Sequence, residues 1–213
     1  MKEELKRLVD EHPELANKAG AIAECYAAML SCFQNGGKLM LCGNGGSACD
    51  CEHIAGELMK GFLLKRPLLD GEREALARAG DDGMLANVLQ RAVPVLVLSG
   101  LSGLSTAFLN DVEPQAVFAQ QAYAYARPGD VVMGISTSGN SKNVIQAMIA
   151  AKARGAKIIA LTGEGGGKMA GLCDVLVDVP QKETYRVQEL HLPVYHALCA
   201  ALESELYGKD ERA

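Results

Sequence analysis

Five short apolar runs separated by helical stretches constrain this chain more than any other feature: Lys38 to Cys42, Pro94 to Ser99, Asp130 to Ile135, Lys157 to Leu161 and Asp174 to Val179. Strands that alternate with helices in this way indicate a parallel sheet covered on both faces. The expected fold class is therefore α/β, with a five-stranded parallel sheet, helices on both faces and a helical leader. With 213 residues, 49% of them hydrophobic, the chain suits one such domain with elaborations. Residues 1–36 read as the leader, in which Ala19, Ile22, Cys25, Met29 and Phe33 recur at three- and four-residue steps. With no strand of its own, the leader is expected to pack outside the sheet or against a partner chain. Residues 37–213 form the domain proper. The stretch from about 61 to 91, where Lys65-Arg66-Pro67 and Asp81-Asp82-Gly83 bracket a short helix, reads as an insertion.

Charge narrows the range of ligands. A net charge of −5 argues against a nucleic-acid surface, which needs a basic stripe to displace counterions. Any anion must then be held locally, by backbone dipoles and hydroxyls. The opening Met1-Lys2-Glu3-Glu4-Leu5-Lys6 does not read as a secretory segment, and no apolar run approaches a membrane span. Seven cysteines without a repeated framework suit a reducing compartment. The expectation is a cytoplasmic protein with no membrane or nucleic-acid partner. Cys49-Asp50-Cys51, just before His53, lacks a second pair at zinc-finger spacing and reads as ordinary helix sequence.

Glycine and hydroxyl residues cluster after the strands, where ligands bind in open parallel sheets. Gly43-Asn44-Gly45-Gly46-Ser47 follows the first strand and opens a helix, so that its N–H groups can face an anion at the helix N-terminus. It spells a weak dinucleotide fingerprint with Ala48, but the second strand ends in Val97-Leu98-Ser99-Gly100, without the acidic ribose partner. Ser136-Thr137-Ser138-Gly139-Asn140-Ser141 follows the third strand and offers more hydroxyls than one helix cap requires. Two such loops can hold one phosphate without a lysine. Gly163-Glu164-Gly165-Gly166-Gly167-Lys168 imitates a nucleotide P-loop, but Thr162 and Met169 stand where a glycine and a magnesium-binding hydroxyl belong. It reads as a plain turn.

Cys42-Gly43-Asn44-Gly45-Gly46-Ser47 with His53 and Glu57, then Asn110-Asp111, the block from Gly129 to Ser141, Leu161-Thr162-Gly163, Gly167 to Gly171 and Arg186 to His191 are similar to the phosphoheptose isomerases of the SIS fold. The resemblance runs from about Gly37 to Glu205. It implies isomerisation of sedoheptulose 7-phosphate to D-glycero-D-manno-heptose 7-phosphate, with no organic cofactor. It also implies that Ser47, Ser136, Thr137, Ser138 and Ser141 contact phosphate, and that Asn44, Gly45, Gly46, Asn110 and Asp111 line the sugar site. His53, Glu57, Gln188 and His196 would correspond to a zinc (Zn2+) site, with Glu57 and His196 as the catalytic acid/base pair and Glu57 and Gln188 also facing substrate. A homotetramer is implied as well. Two features depart from the family pattern: the length of the 61–91 stretch, and Tyr185, where some members carry an acidic residue.

Spacing bears on these roles without the resemblance. His53 and Glu57, four apart, share one helix face. Gln188 and His196 lie about two turns apart on the last helix. His191 is better placed than His196 beside Gln188, and Pro193 should kink the helix between them, so geometry leaves the choice of histidine open. A rival reading is a non-catalytic SIS module that senses a sugar phosphate or binds a protein partner. It would keep both serine loops without needing the acid/base residues.

Overall fold

The computed structural model describes residues 2–208. Among these, five strands form one parallel sheet: β1 (Leu39–Cys42), β2 (Val95–Val97), β3 (Val131–Ser136), β4 (Lys157–Thr162) and β5 (Val175–Asp178). The strand order is β2-β1-β3-β4-β5, all pairs parallel. The chain thus builds outward from β1 in one direction to β2 and in the other through β3. This reversal leaves a crevice between β1 and β3 at their carboxyl ends, the usual place for a ligand in an open α/β sheet.

The helices are α1 (Glu3–Glu11), α2 (Ala19–Gln34), α3 (Gly46–Met59), α4 (Asp70–Arg78), α5 (Met84–Val88), α6 (Ser102–Asp111), α7 (Val117–Tyr125), α8 (Lys142–Ala153) and α9 (Thr184–Tyr207). Strand side chains alternate between faces, and the two cores follow that parity. Leu39, Leu41, Val131, Met133, Ile159 and Leu161 meet α1, α2, α3 and α9 on one face. Met40, Cys42, Val132, Ile158 and Ala160 meet α7 and α8 on the other. No helix among the described residues is long and apolar enough to cross a membrane.

The leader is not one helix. His12 precedes Pro13 and leaves the helical region, with φ −127° and ψ 74°, because the proline ring crowds the preceding residue. The chain restarts as a 3-10 segment over Pro13–Lys18 and then as α2. Leu15, Ile22, Cys25 and Met29 of this leader are fully buried, so it packs on one face of the sheet and completes the core there. The 61–91 stretch holds two helices, α4 and α5, where one is expected. Pro193 sits inside α9, which continues from Thr184 to Tyr207.

Candidate active site

The first loop turns at Gly45, whose φ of 55° is open to glycine and costly for other residues. α3 starts at the next residue. A Cβ on Gly46 would come within 2.2 Å of Gln188 Nε2, so the missing side chain is what lets the start of α9 lie against this loop. Ser47 is buried behind it. In the second loop, Ser136 Oγ and Ser141 Oγ are 2.9 Å apart, and Ser138 Oγ accepts from the Asn140 backbone N–H.

The two loops are bonded to each other. Asn44 donates from Nδ2 to Asn143 Oδ1 at 2.9 Å, and Asn143 donates back to Asn44 Oδ1 at 2.8 Å. The second loop is braced from behind by the glycine-rich turn after β4. There Gly163 N–H donates to Thr137 O, Met169 N–H to Gly139 O, and Lys168 N–H to Asn140 Oδ1. The segment that imitates a P-loop is therefore a buttress for the serine loop.

Beside this cradle, α3 and α9 bring together His53, Glu57 and His196. His53 Nε2 lies 3.3 Å from His196 Nε2 and 3.3 Å from Glu57 Oε1. The rings of His53 and His196 meet edge to face with centroids 4.8 Å apart, and Phe62 covers the other side of His196 at 5.7 Å. Glu57 Oε2 accepts from the exposed Lys60. Burial, with the His53 charge as a second cause, holds the His196 imidazole below the usual histidine range against the opposing pull of Glu57.

The two histidines of α9 lie in different surroundings. His191 is fully buried in the core, where burial pushes its pKa down to about 4. His196, five residues on, faces His53. Asn110 and Asp111 lie exposed at the end of α6, where Asn110 Nδ2 donates to Asp111 Oδ1 at 2.6 Å. Their side chains are bonded to each other rather than to the loops.

Three side chains of this region escape sequence reasoning. Asn143 has the appearance of an ordinary first-turn residue of α8. Phe62 belongs to a stretch that reads as an insertion. Tyr195 is adjacent to His196 and looks like core, yet its hydroxyl lies 3.1 Å from His53 Nδ1.

The donor chemistry of the cluster suits a zinc ion. Ligand atoms about 2.0–2.1 Å from a shared tetrahedral zinc stand roughly 3.3 Å from one another, the spacing of His53 Nε2 to both its neighbours. As the side chains stand, no group of three or more His, Cys, Asp and Glu among the described residues is disposed to hold a metal. Two spacings fit, then, and the full cage is not formed. His53, Glu57 and His196 nonetheless supply nitrogen and oxygen donors of the kind zinc takes.

A parallel sheet of this order, with loops at its reversal point, is a doubly wound architecture shared by several families, and the SIS domain family matches residues 3–73 and 72–163. The chain belongs to that family, and within it to the phosphoheptose isomerases. The phosphoheptose isomerase of Rhodospirillum rubrum is 38% identical over 192 residues, covering 90% of this chain and 89% of the relative. The solved phosphoheptose isomerase of Neisseria gonorrhoeae superposes with a TM-score of 0.73 at 35% identity, covering 94% of each chain. That of Francisella tularensis gives 0.72 at 30% identity over 87% of this chain and 86% of the other.

Proposed function

We propose that this chain is an aldose–ketose isomerase acting on sedoheptulose 7-phosphate and yielding D-glycero-D-manno-heptose 7-phosphate. The observation that carries this reading is the meeting of His53 and Glu57 from α3 with His196 from α9 beside the two linked loops. A phosphate sensor needs the loops alone, and the acid/base cluster gives it no advantage.

Isomerisation moves a proton between adjacent carbons through an enediol, and therefore needs a base, an acid and a polarised carbonyl. The hydroxyls of Ser47, Ser136, Thr137, Ser138 and Ser141 hold the phosphate, with Asn44, Gly45 and Gly46 forming the wall towards the sugar. Anchoring the phosphate fixes the distance from that end to the reacting carbons. Glu57 and His196 then share the proton transfers. His53, Glu57, Gln188 and His196 are the residues that would hold zinc. When bound, the metal would supply polarisation of the substrate's carbonyl or diol oxygens.

Asn110 and Asp111 join this site only if the sugar reaches the end of α6. A cytoplasmic homotetramer completes the reading, and the exposed Leu63, Leu69, Met84 and Val88 of the 61–91 stretch are available to such contacts.

The test is an NMR assay of the full chain with sedoheptulose 7-phosphate and a panel of ketohexose phosphates, with and without added zinc. Conversion of the heptulose phosphate is expected. Binding of the sugar phosphates without conversion of any of them would favour the sensor.

A further inference from the structure

We propose that Tyr195 is a positioning residue: its hydroxyl joins the Asp50 carboxylate to His53 Nδ1, holding the imidazole with its proton on Nδ1 and its Nε2 lone pair aimed at Glu57 and His196. The inference rests on the acid/base and metal reading of that cluster and extends it to two residues behind it.

The tyrosine hydroxyl lies 3.3 Å from Asp50 Oδ1 and 3.1 Å from His53 Nδ1. It has one proton to give. An ionised carboxylate can only accept, so that proton goes to Asp50, and the phenolic oxygen then accepts from His53 Nδ1–H. Asp50 Oδ2 is buried and has no hydrogen-bond partner among the described residues, so the carboxylate's bonding is committed to Tyr195.

Rigidity of the link comes from packing. Tyr195 is 2% exposed, whereas the His53 side chain is 42% exposed and takes its one inner anchor, at Nδ1, from the tyrosine hydroxyl. The tyrosine ring also meets both imidazoles edge to face, at 5.4 Å from His53 and 5.0 Å from His196. Asp50 and His53 lie three apart on α3, and Tyr195 reaches them from α9. One hydroxyl of α9 therefore sets the tautomer of His53 on α3.

The consequence lies at Nε2. With the proton fixed on Nδ1, Nε2 presents a lone pair 3.3 Å from a carboxylate oxygen and 3.3 Å from a second imidazole nitrogen. Such an electron-rich corner is satisfied by a cation, whether a proton or a metal ion. Histidine ligands are commonly oriented in this way, by a hydrogen bond to the nitrogen that does not face the metal.

The experiment uses the full-length, metal-free protein labelled with 15N-histidine, its His53 signals assigned by their loss in His53→Gln. Long-range 1H–15N correlation at mildly alkaline pH reads which nitrogen carries the proton. The expected wild-type result is the Nδ1–H tautomer, with a shift toward Nε2–H in Tyr195→Phe, which keeps the ring and removes the hydroxyl. Zinc affinity, measured by competition with a chromophoric chelator, is expected to fall roughly 10- to 100-fold in Tyr195→Phe and in Asp50→Asn, with the double variant no worse than either. An Nε2–H tautomer in the wild type, or a tautomer unchanged by Tyr195→Phe, overturns the inference. If Tyr195→Phe fails to fold by circular dichroism, Asp50→Asn decides by the same two readouts. If the wild type takes up no zinc, the metal reading of the site falls and the tautomer alone decides this one.

Discussion

The side-chain amides of Asn44 and Asn143 exchange two hydrogen bonds, 2.9 and 2.8 Å long, across the crevice between the β1 and β3 loops. A doubly bonded amide pair fixes both orientation and distance, so the two loops behave as one cradle. Asn143→Ala is expected to raise KM for sugar phosphate about tenfold while lowering folding stability by about 1–3 kcal/mol, since each of the two hydrogen bonds lost contributes roughly 0.5–1.5 kcal/mol net. Steady-state kinetics with a parallel urea titration checks both. A KM unchanged beside intact folding would show that the loops hold their spacing without the pair.

Glu57 and His196 are assigned the proton transfers, and each is expected to be irreplaceable by a neutral amide that cannot take up or release a proton. Glu57→Gln and His196→Gln should each lower kcat by about 10²- to 10⁴-fold, the usual contribution of a positioned acid or base. Phosphate binding is assigned to the loops alone. Affinity for inorganic phosphate, read by calorimetry, should therefore stay within about threefold of wild type, since neither residue belongs to the phosphate cradle. Near-wild-type turnover in both folded variants would falsify the assignment.

The sheet and its two glycine- and serine-rich loops were legible in sequence because the signals are local: apolar runs of strand length, then glycine and serine at the start of a helix. Expected and observed strands agree closely, as with Lys157 to Leu161 against Lys157–Thr162. The leader was legible as helix but not as two helices, although Pro13 carried the information. What stayed hidden depends on contacts distant in sequence. Asn44 and Asn143 are 99 residues apart, and Tyr195 and His53 are 142 apart. No local pattern marks such pairs. His191 and His196 illustrate the same limit, because only the packing of α9 decides which ring enters the core and which faces α3.

Arg66 and Glu203 form an almost fully buried ion pair at 2.7 Å, and their other bonds explain why it is retained. Glu203 also accepts from the backbone N–H groups of Phe62, Leu63 and Leu64, while Arg66 donates to the carbonyls of Leu58 and Glu57 at the end of α3. The pair ties the segment carrying Phe62, which covers His196, to the helix carrying Glu57. Glu203→Ala leaves Arg66 buried without its counter-charge and is expected to cost about 3–5 kcal/mol. Activity in the fraction that remains folded should fall as well, because both sides of the cluster lose their anchor. Urea unfolding and kcat per folded molecule, measured on the same samples, check the two effects.

His191 predicts a pH dependence of stability. Its pKa is lowered to about 4 in the folded chain by burial, from an ordinary value of 6.5. The folded state therefore disfavours the protonated form. Above 6.5 the ring is neutral in both states and costs nothing. As pH falls from 6.5 towards 4 the unfolded chain takes up the proton first, and stability declines, by about 3 kcal/mol across the window. His191→Leu removes the titrating group and keeps an apolar core side chain of similar size. Urea unfolding at pH 7.5 and pH 4 is expected to show a smaller loss in the variant than in the wild type, by about 3 kcal/mol. Equal losses in the two proteins would place the acid sensitivity in the carboxylates instead, such as Asp130, whose bonds from Lys38 and the Arg127 backbone hold its carboxyl below the usual range.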